Sequence, residues 1–188
     1  MMTQLSTVNV LGICGSLRRG SFNRLALENA ITLCPADMAI TLAAIDDIPL
    51  YNEDVRQQGF PEAVTRLRAE IARADALLIA TPEYNYSMSG VLKNVIDWAS
   101  RPPDQPFEGK PVAIMGASAG LFGTARAQYH LRQSLVYLNG FVVNRPEVFI
   151  GQAATKFDAE GNLTDATARD LIGKLLVALR DWARKLSR

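Results

Sequence analysis

The sequence is poor in the residues that side-chain catalysis draws on. Its 188 residues hold one histidine, His130, and two cysteines, Cys14 and Cys34. One histidine rules out a multi-histidine metal centre, so no metal is expected, and it leaves any Ser-His or Cys-His nucleophile dependent on that residue. His130 falls in the middle of ARAQYHLRQSLVYL, a helical pattern, where a solvated or hydrogen-bonded histidine is the ordinary reading. The cysteines form no C-x-x-C pair and end two successive elements, so they read as reduced thiols. Charge of one sign is lacking as well. Twenty basic residues against 19 acidic ones leave a formal net charge of +1, no field for gripping nucleic acid or an anionic membrane, although a local anion site stays open. No stretch reaches the roughly 18 unbroken apolar residues of a membrane span. The opening MMTQLSTVNV lacks the basic and apolar regions of a signal peptide. A cytoplasmic protein without nucleic-acid or membrane partners is expected. Internal repeats, low-complexity segments and linkers are also missing, and the 48% hydrophobic content suffices for one domain spanning 1–188.

What is present is alternation. VNVLGIC reads as a buried strand and SFNRLALENAITLC as a helix with Leu27, Ala30, Ile31 and Cys34 on one side. MAITLAA is a second strand, followed by the loop IDDIPLYNEDVRQQGF and a helix that Pro61 opens from its favoured first-turn position. DALLIA is the third strand, and SGVLKNVIDWAS its helix, with Val91, Val95 and Trp98 as a stripe. After the proline-rich RPPDQPFEG come strands KPVAIMGAS and GFVVNRPEVFI, separated by the helix LFGTARAQYHLRQSLVYL. A long amphipathic helix closes the chain, with Leu171, Leu175, Leu179, Trp182 and Leu186 at helical spacing. Five strands alternating with five helices predict an α/β, doubly wound parallel sheet covered on both faces. Ligands of such sheets sit beyond the carboxyl ends of the strands, near the point where strand order reverses.

Three loops land there. CGSLRRGSFN offers the hydroxyls of Ser16 and Ser21, the amide of Asn23 and the guanidinium groups of Arg18 and Arg19, and it runs into a helix N-terminus that favours an anion. The alternative is an ordinary loop with Ser21 as N-cap. The Walker pattern fails, because Ser21 stands where lysine should be, and the dinucleotide fingerprint fails at Cys14. A terminal monophosphate matches the donors better. A phosphatase loop is the rival, since Cys14 opens a glycine-bearing loop before a helix. Low-molecular-weight phosphatases place arginine six positions after the cysteine, and here Gly20 stands there, with Arg19 one too early. The second loop, PEYNYS, supplies rigid backbone at Pro82, the N–H groups of Glu83 to Asn85 and a planar contact in Tyr84, a combination suited to an isoalloxazine ring. In the third, MGASAGLFGTARAQ, Gly116, Ser118, Gly120 and Gly123 allow close approach of a ligand, though helix–strand packing would explain glycine equally well.

At these residues the sequence resembles the NADPH-dependent FMN reductase family, and within it the bacterial chromate and quinone reductases. GSLRRGSFN, PEYNYSMSGVLKNVIDWASRP and GASAGLFGTARAQYHLRQ are similar to that group's three flavin segments, and the likeness runs from about Val8 to about Ile150. The resemblance implies a flavodoxin-like five-stranded sheet of order 2-1-3-4-5. It implies FMN with its phosphate on Ser16, Arg18, Ser21 and Asn23, its ring lined by Pro82, Glu83, Tyr84 and Asn85, and its other side closed by Ser118 and Gly120. It further implies ping-pong hydride transfer from NADPH or NADH through FMN to quinones, flavins, azo compounds or chromate. No catalytic side chain is required, and Arg101 is the one candidate, as an attractor of anionic acceptors or of the nicotinamide phosphate. IPLYNED, residues 48–54, resembles the family's loop toward a neighbouring subunit; a homodimer or homotetramer is implied, with Arg126, Tyr129, Glu147 and Tyr86 as contact candidates. A flavodoxin-like electron carrier is the alternative from another class, although such carriers tend to be strongly acidic.

Overall fold

A computed structural model describes residues 6–187; of the opening MMTQLSTVNV, read as lacking a signal segment, the first five residues lie outside the described part. β1 (Val8–Cys14) leads to α1 (Phe22–Thr32), then β2 (Met38–Leu42), α2 (Glu53–Gln57), α3 (Glu62–Arg73), β3 (Ala76–Ala80) and α4 (Gly90–Ala99). β4 (Pro111–Ala117), α5 (Ala125–Tyr137), β5 (Phe141–Val142), β6 (Val148–Ile150), a 3-10 turn (Ala153–Thr155) and α6 (Ala166–Leu186) follow. The sheet is parallel, in the order β2-β1-β3-β4-β5. This is the flavodoxin-like order expected, with one refinement in its fifth lane. GFVVNRPEVFI is two short strands: β5 pairs with Pro111 and Val112, and β6 pairs further along with Met115 to Ala117. Pro146, which has no N–H and follows a cis bond from Arg145, sits in the gap between them.

The side chains of each central strand alternate between two cores, as a sheet covered on both faces requires. Val10, Leu78 and Met115 face α1 and α6, while Leu11, Ile13, Leu77, Ile79 and Ile114 face α3, α4 and α5. Each fully buried Leu or Ile contributes about 1.5–3 kcal/mol, and the central strands are buried along nearly their whole length. Most helices start on a polar cap: Ser21, Asn52, Ser89 and Asp165 each accept an N–H of the first turn.

Several local expectations shift. The loop after β2 contains the short helix α2, begun by the Asn52 cap with Glu53 and Asp54 in its first turn. Pro61 is the N-cap of α3 rather than its first residue. Ile31 is 40% exposed, because α1 turns Ala26, Leu27 and Ala30 to the sheet instead. The buried stripe of α6 runs through Ala168, Ile172, Leu175, Leu176, Leu179 and Ala183, leaving Leu186 at the rim.

Candidate functional site

The loops after β1, β3 and β4 meet at the carboxyl edge of the sheet and enclose a cleft of about 300 Å³. One end is Arg18, Ser21, Phe22 and Asn23; the other is Pro82, Glu83 and Tyr84, facing Ala117, Ser118 and Ala119.

Side-chain hydrogen bonds tie these loops together in pairs. The carboxamide of Asn23, 3% exposed, donates to the carbonyl of Ala117 and accepts its N–H, both at 2.9 Å, fixing the start of α1 to the end of β4. Ser89, the N-cap of α4, donates its hydroxyl to the carbonyl of Gly15 at 2.6 Å, fixing the second loop to the first. Glu83 closes the triangle. Its carboxylate accepts the N–H groups of Arg126 and Ala127 at 3.0 and 3.2 Å and the Nε–H of Arg126 at 2.6 Å. Each bond spans more than forty residues of sequence, and each holds a loop whose own backbone has little regular pairing.

The first loop leaves several of its donors uncommitted. Among the described residues neither Arg18 nor Arg19 has an ion pair, whereas Arg24 is held by Glu28. The N–H groups of Phe22 and Asn23 open α1 and have no partner among the described residues, so this end offers a guanidinium, two main-chain donors and a helix N-terminus to an anion. Ser21 is both cleft wall and N-cap, its Oγ accepting the N–H of Arg24 at 3.4 Å. Ser16 accepts the N–H of Arg18 and opens on an adjoining hollow with Arg19 and Asp46; Arg18 borders both spaces. The expected amide donor of Asn23 is thus committed to Ala117, and its main-chain N–H remains.

The second loop is a tight turn. Tyr84 and Ser87 exchange N–H···O bonds of 3.0 Å, with Asn85 (φ 50) and Tyr86 (φ 67) both left-handed between them. The N–H of Tyr84 is therefore occupied, a correction to its expected donor role; those of Glu83 and Asn85 have no partner among the described residues. Asparagine tolerates this backbone readily, a tyrosine poorly. The two tyrosines differ in use. Tyr84 flanks the cleft, whereas Tyr86 lies on the guanidinium of Arg126, 4.0 Å from ring centroid to cation. His130 donates to or accepts from Ser87 Oγ at 3.1 Å and steadies the turn.

In the third loop the glycines separate by purpose. A Cβ on Gly116 would stand 1.9 Å from Thr124 Oγ1 and 2.5 Å from the carbonyl oxygen of Thr81, and one on Gly123 would meet the backbone of β6. Both are packing glycines. Gly120 is open, with nothing nearer than Ser118 Oγ at 3.9 Å, though Gly120 itself, like Asn85, is not among the residues lining the cleft. Phe22, Ala117 and Ala119 also border the cleft. Phe22 sat at the first helical position beside Arg18 and carried a weak signal; the alanines had none, since they act through backbone.

Arg101 does not border the cleft. Its Nε–H donates to the carbonyl of Asp97 and its guanidinium lies over Tyr51, closing the far end of α4, about 15 Å along the helix axis from Ser89. Burial pushes the Cys14 thiol up, though hydrogen bonds oppose this, whereas a nucleophile needs it lowered. With Gly20 in the arginine position as well, the site gives the phosphatase reading no support. No group of three metal-ligating side chains occurs among the described residues.

Comparison with known proteins gives the family. The profile of a family described as NADPH-dependent FMN reductase matches residues 8–155. An NAD(P)H-dependent FMN reductase of Pseudomonas aeruginosa is 64% identical over 179 residues, 95% of this chain and 97% of the relative. A quinone reductase of Escherichia coli K12 is 45% identical over 182 residues, 95% and 97% of the two chains. Among solved structures, FerB of Paracoccus denitrificans, titled a flavoenzyme NAD(P)H:(acceptor) oxidoreductase, superposes with a TM-score of 0.86 at 36% identity, covering 95% of this chain and 98% of that one. The chain is a flavodoxin-like oxidoreductase and belongs to the NADPH-dependent FMN reductase family.

Proposed function

We propose that the chain, acting as one domain, is an FMN-dependent NAD(P)H oxidoreductase that reduces quinones. Flavins, azo compounds and chromate are further acceptors. The observation that carries this reading is the make-up of the cleft: the Arg18 guanidinium, without an ion pair among the described residues, and helix-start N–H groups in one part of its lining, and Pro82 and Tyr84 with Ala117, Ser118 and Ala119 in the rest. That fits a group with one phosphate and one flat ring. When bound, FMN would supply the redox chemistry that links a nicotinamide hydride donor to an acceptor. The protein's part is to bind and orient. Arg18, the Ser21 hydroxyl and the N–H groups of Phe22 and Asn23 hold the phosphate, with Ser16 at the loop's outer flank. The N–H groups of Glu83 and Asn85 face the polar edge of the ring, Pro82 and Tyr84 form one wall, and Ser118 and Gly120 the other. No side-chain nucleophile or base is needed, in keeping with a single histidine engaged by Ser87.

Tyr86, Phe122 and Tyr129, in the second and third loops and on α5, are 67%, 60% and 49% exposed, with Arg126 between Tyr86 and Phe122. So much aromatic surface next to a site favours a partner. We assign it to a homodimer contact together with Glu147, a homotetramer being two such dimers, and Leu50 in the 48–54 loop, 85% exposed, extends the contact surface. No helix of the described residues is long and apolar enough to cross a membrane, and with both cysteines free we place the protein in the cytoplasm.

The purified protein should be yellow or should take up FMN with quenching of flavin fluorescence. Anaerobic NADPH should bleach it, and benzoquinone should restore the colour. A colourless protein that leaves flavin fluorescence unchanged on titration would refute the assignment.

A further inference from the structure

Glu83 lines the cleft, yet its carboxylate is turned toward protein. All its observed hydrogen bonds run to the start of α5: the N–H groups of Arg126 and Ala127 and the Nε–H of Arg126. The side chain is only 9% exposed, and that of Arg126 35%. α5 has no other cap, because Thr124 at its N-cap is left-handed, with φ 75, and makes no side-chain bond to the first turn. A carboxylate there also meets the positive end of the helix dipole. The guanidinium of Arg126 is in turn held between aromatic rings, 4.0 Å from the centroid of Tyr86 and 4.8 Å from that of Phe122. Tyr86 belongs to the loop after β3 and Phe122 to the loop after β4. One ion pair therefore clamps both walls of the slot in which a ring would sit.

We propose that Glu83 and Arg126 form a latch that holds the two ring-binding loops at a fixed spacing and sets the balance of charge beside the flavin. The inference rests on the FMN reading above. In it Glu83 touches the cofactor through its main-chain N–H, and its side chain is a positioning group whose charge Arg126 offsets. Arg126 acts through Glu83. Reduction adds negative charge to a flavin ring, so a nearby carboxylate opposes it and a nearby cation favours it. Removing either partner should loosen the slot, but the two removals should shift the bound flavin's potential in opposite senses.

The test uses Glu83→Gln, Arg126→Ala and Arg126→Lys, with Arg18→Ala as reference. Dissociation constants for FMN and for riboflavin are measured by fluorescence quenching, and the midpoint potential of the FMN-loaded protein by equilibration with a reference dye. Glu83→Gln and Arg126→Ala should weaken FMN and riboflavin by the same factor, about tenfold for the loss of one charge-assisted contact, because the latch acts on the ring. Arg18→Ala should weaken FMN alone. The potential should rise in Glu83→Gln, fall in Arg126→Ala and return close to wild type in Arg126→Lys, which keeps the cation. Merely loosened loops, or a broken dimer, would move both potentials the same way. That result, unchanged riboflavin affinity in both variants, or Arg126→Lys tracking Arg126→Ala would overturn the proposal. If Glu83→Gln does not fold, the two Arg126 variants decide the matter between them. Wild-type protein that binds neither flavin would instead sink the FMN reading itself.

Discussion

Single residues in the three loops divide into those that face the cleft and those that hold the loops in place, and residue type does not reveal which is which. Asn23 has the chemistry of a phosphate ligand, but its carboxamide is closed on Ala117 by two hydrogen bonds. Of two tyrosines one residue apart, Tyr84 borders the cleft and Tyr86 covers Arg126. The glycines give a sharp contrast. Gly116→Ala would push a methyl into Thr124 Oγ1 and the Thr81 carbonyl oxygen, a rigid backbone atom, and should destabilise the fold by about 3 kcal/mol. Gly120→Ala meets only Ser118 Oγ, at an ordinary contact distance of 3.9 Å; its stability should stay within about 0.5 kcal/mol of wild type, while FMN binds more weakly. Urea unfolding and flavin titration of the two variants check this, and an equal loss of stability in both would show Gly120 to be a packing position too.

At the scale of elements, the hydrophobic periods place the strands and helices because each period reports which side of one element meets the core. They fail where the partner lies elsewhere in the chain. The fifth lane of the sheet reads as one apolar run, yet β4 pairs with its two ends in separate stretches and leaves Asn144 to Glu147 outside the ladder. α5 has a poor N-cap of its own, and the cap it uses comes from Glu83, 43 residues earlier. A similar long reach anchors α3: Arg66 forks onto Asp47 with N–O distances of 2.9 and 2.7 Å and also donates to the carbonyl of Ala44. The hydrogen bonds from Arg66 hold the Asp47 carboxyl below the usual aspartate range, against a smaller opposing effect of burial. A carboxylate lowered by folding stabilises the native state above the unfolded value, near ~3.9, and loses that contribution as pH falls through the folded value. Asp47→Asn should therefore lower the urea midpoint at neutral pH, and its gap from wild type should close below about pH 4. The effect should be small, since both side chains are more than a third exposed. A gap independent of pH would mean that the charge of Asp47 plays no part.

For the whole molecule, Tyr86, Phe122 and Tyr129 are exposed on the loops that carry the cleft and on the helix after them. A second copy placed there would cover that surface and roof the site, so catalytic competence and assembly should go together. Light scattering should give twice the chain mass of 20.6 kDa, or four times it, and Tyr129→Asp should yield a monomer that still folds. A wild-type monomer at micromolar concentration would exclude the assembly proposed. Composition, the alternation of short apolar runs with amphipathic ones, and three donor-rich loops at strand ends were enough to predict a doubly wound sheet and the loops that meet at its carboxyl edge, because strand and helix patterns are written in neighbouring residues. Which donors remain for a ligand was not predictable in that way. Asn23 and Ala117 lie 94 positions apart, and Ser89 and Gly15 lie 74 apart, so whether a side chain braces a loop or faces the cleft depends on partners that folding alone brings within 3 Å.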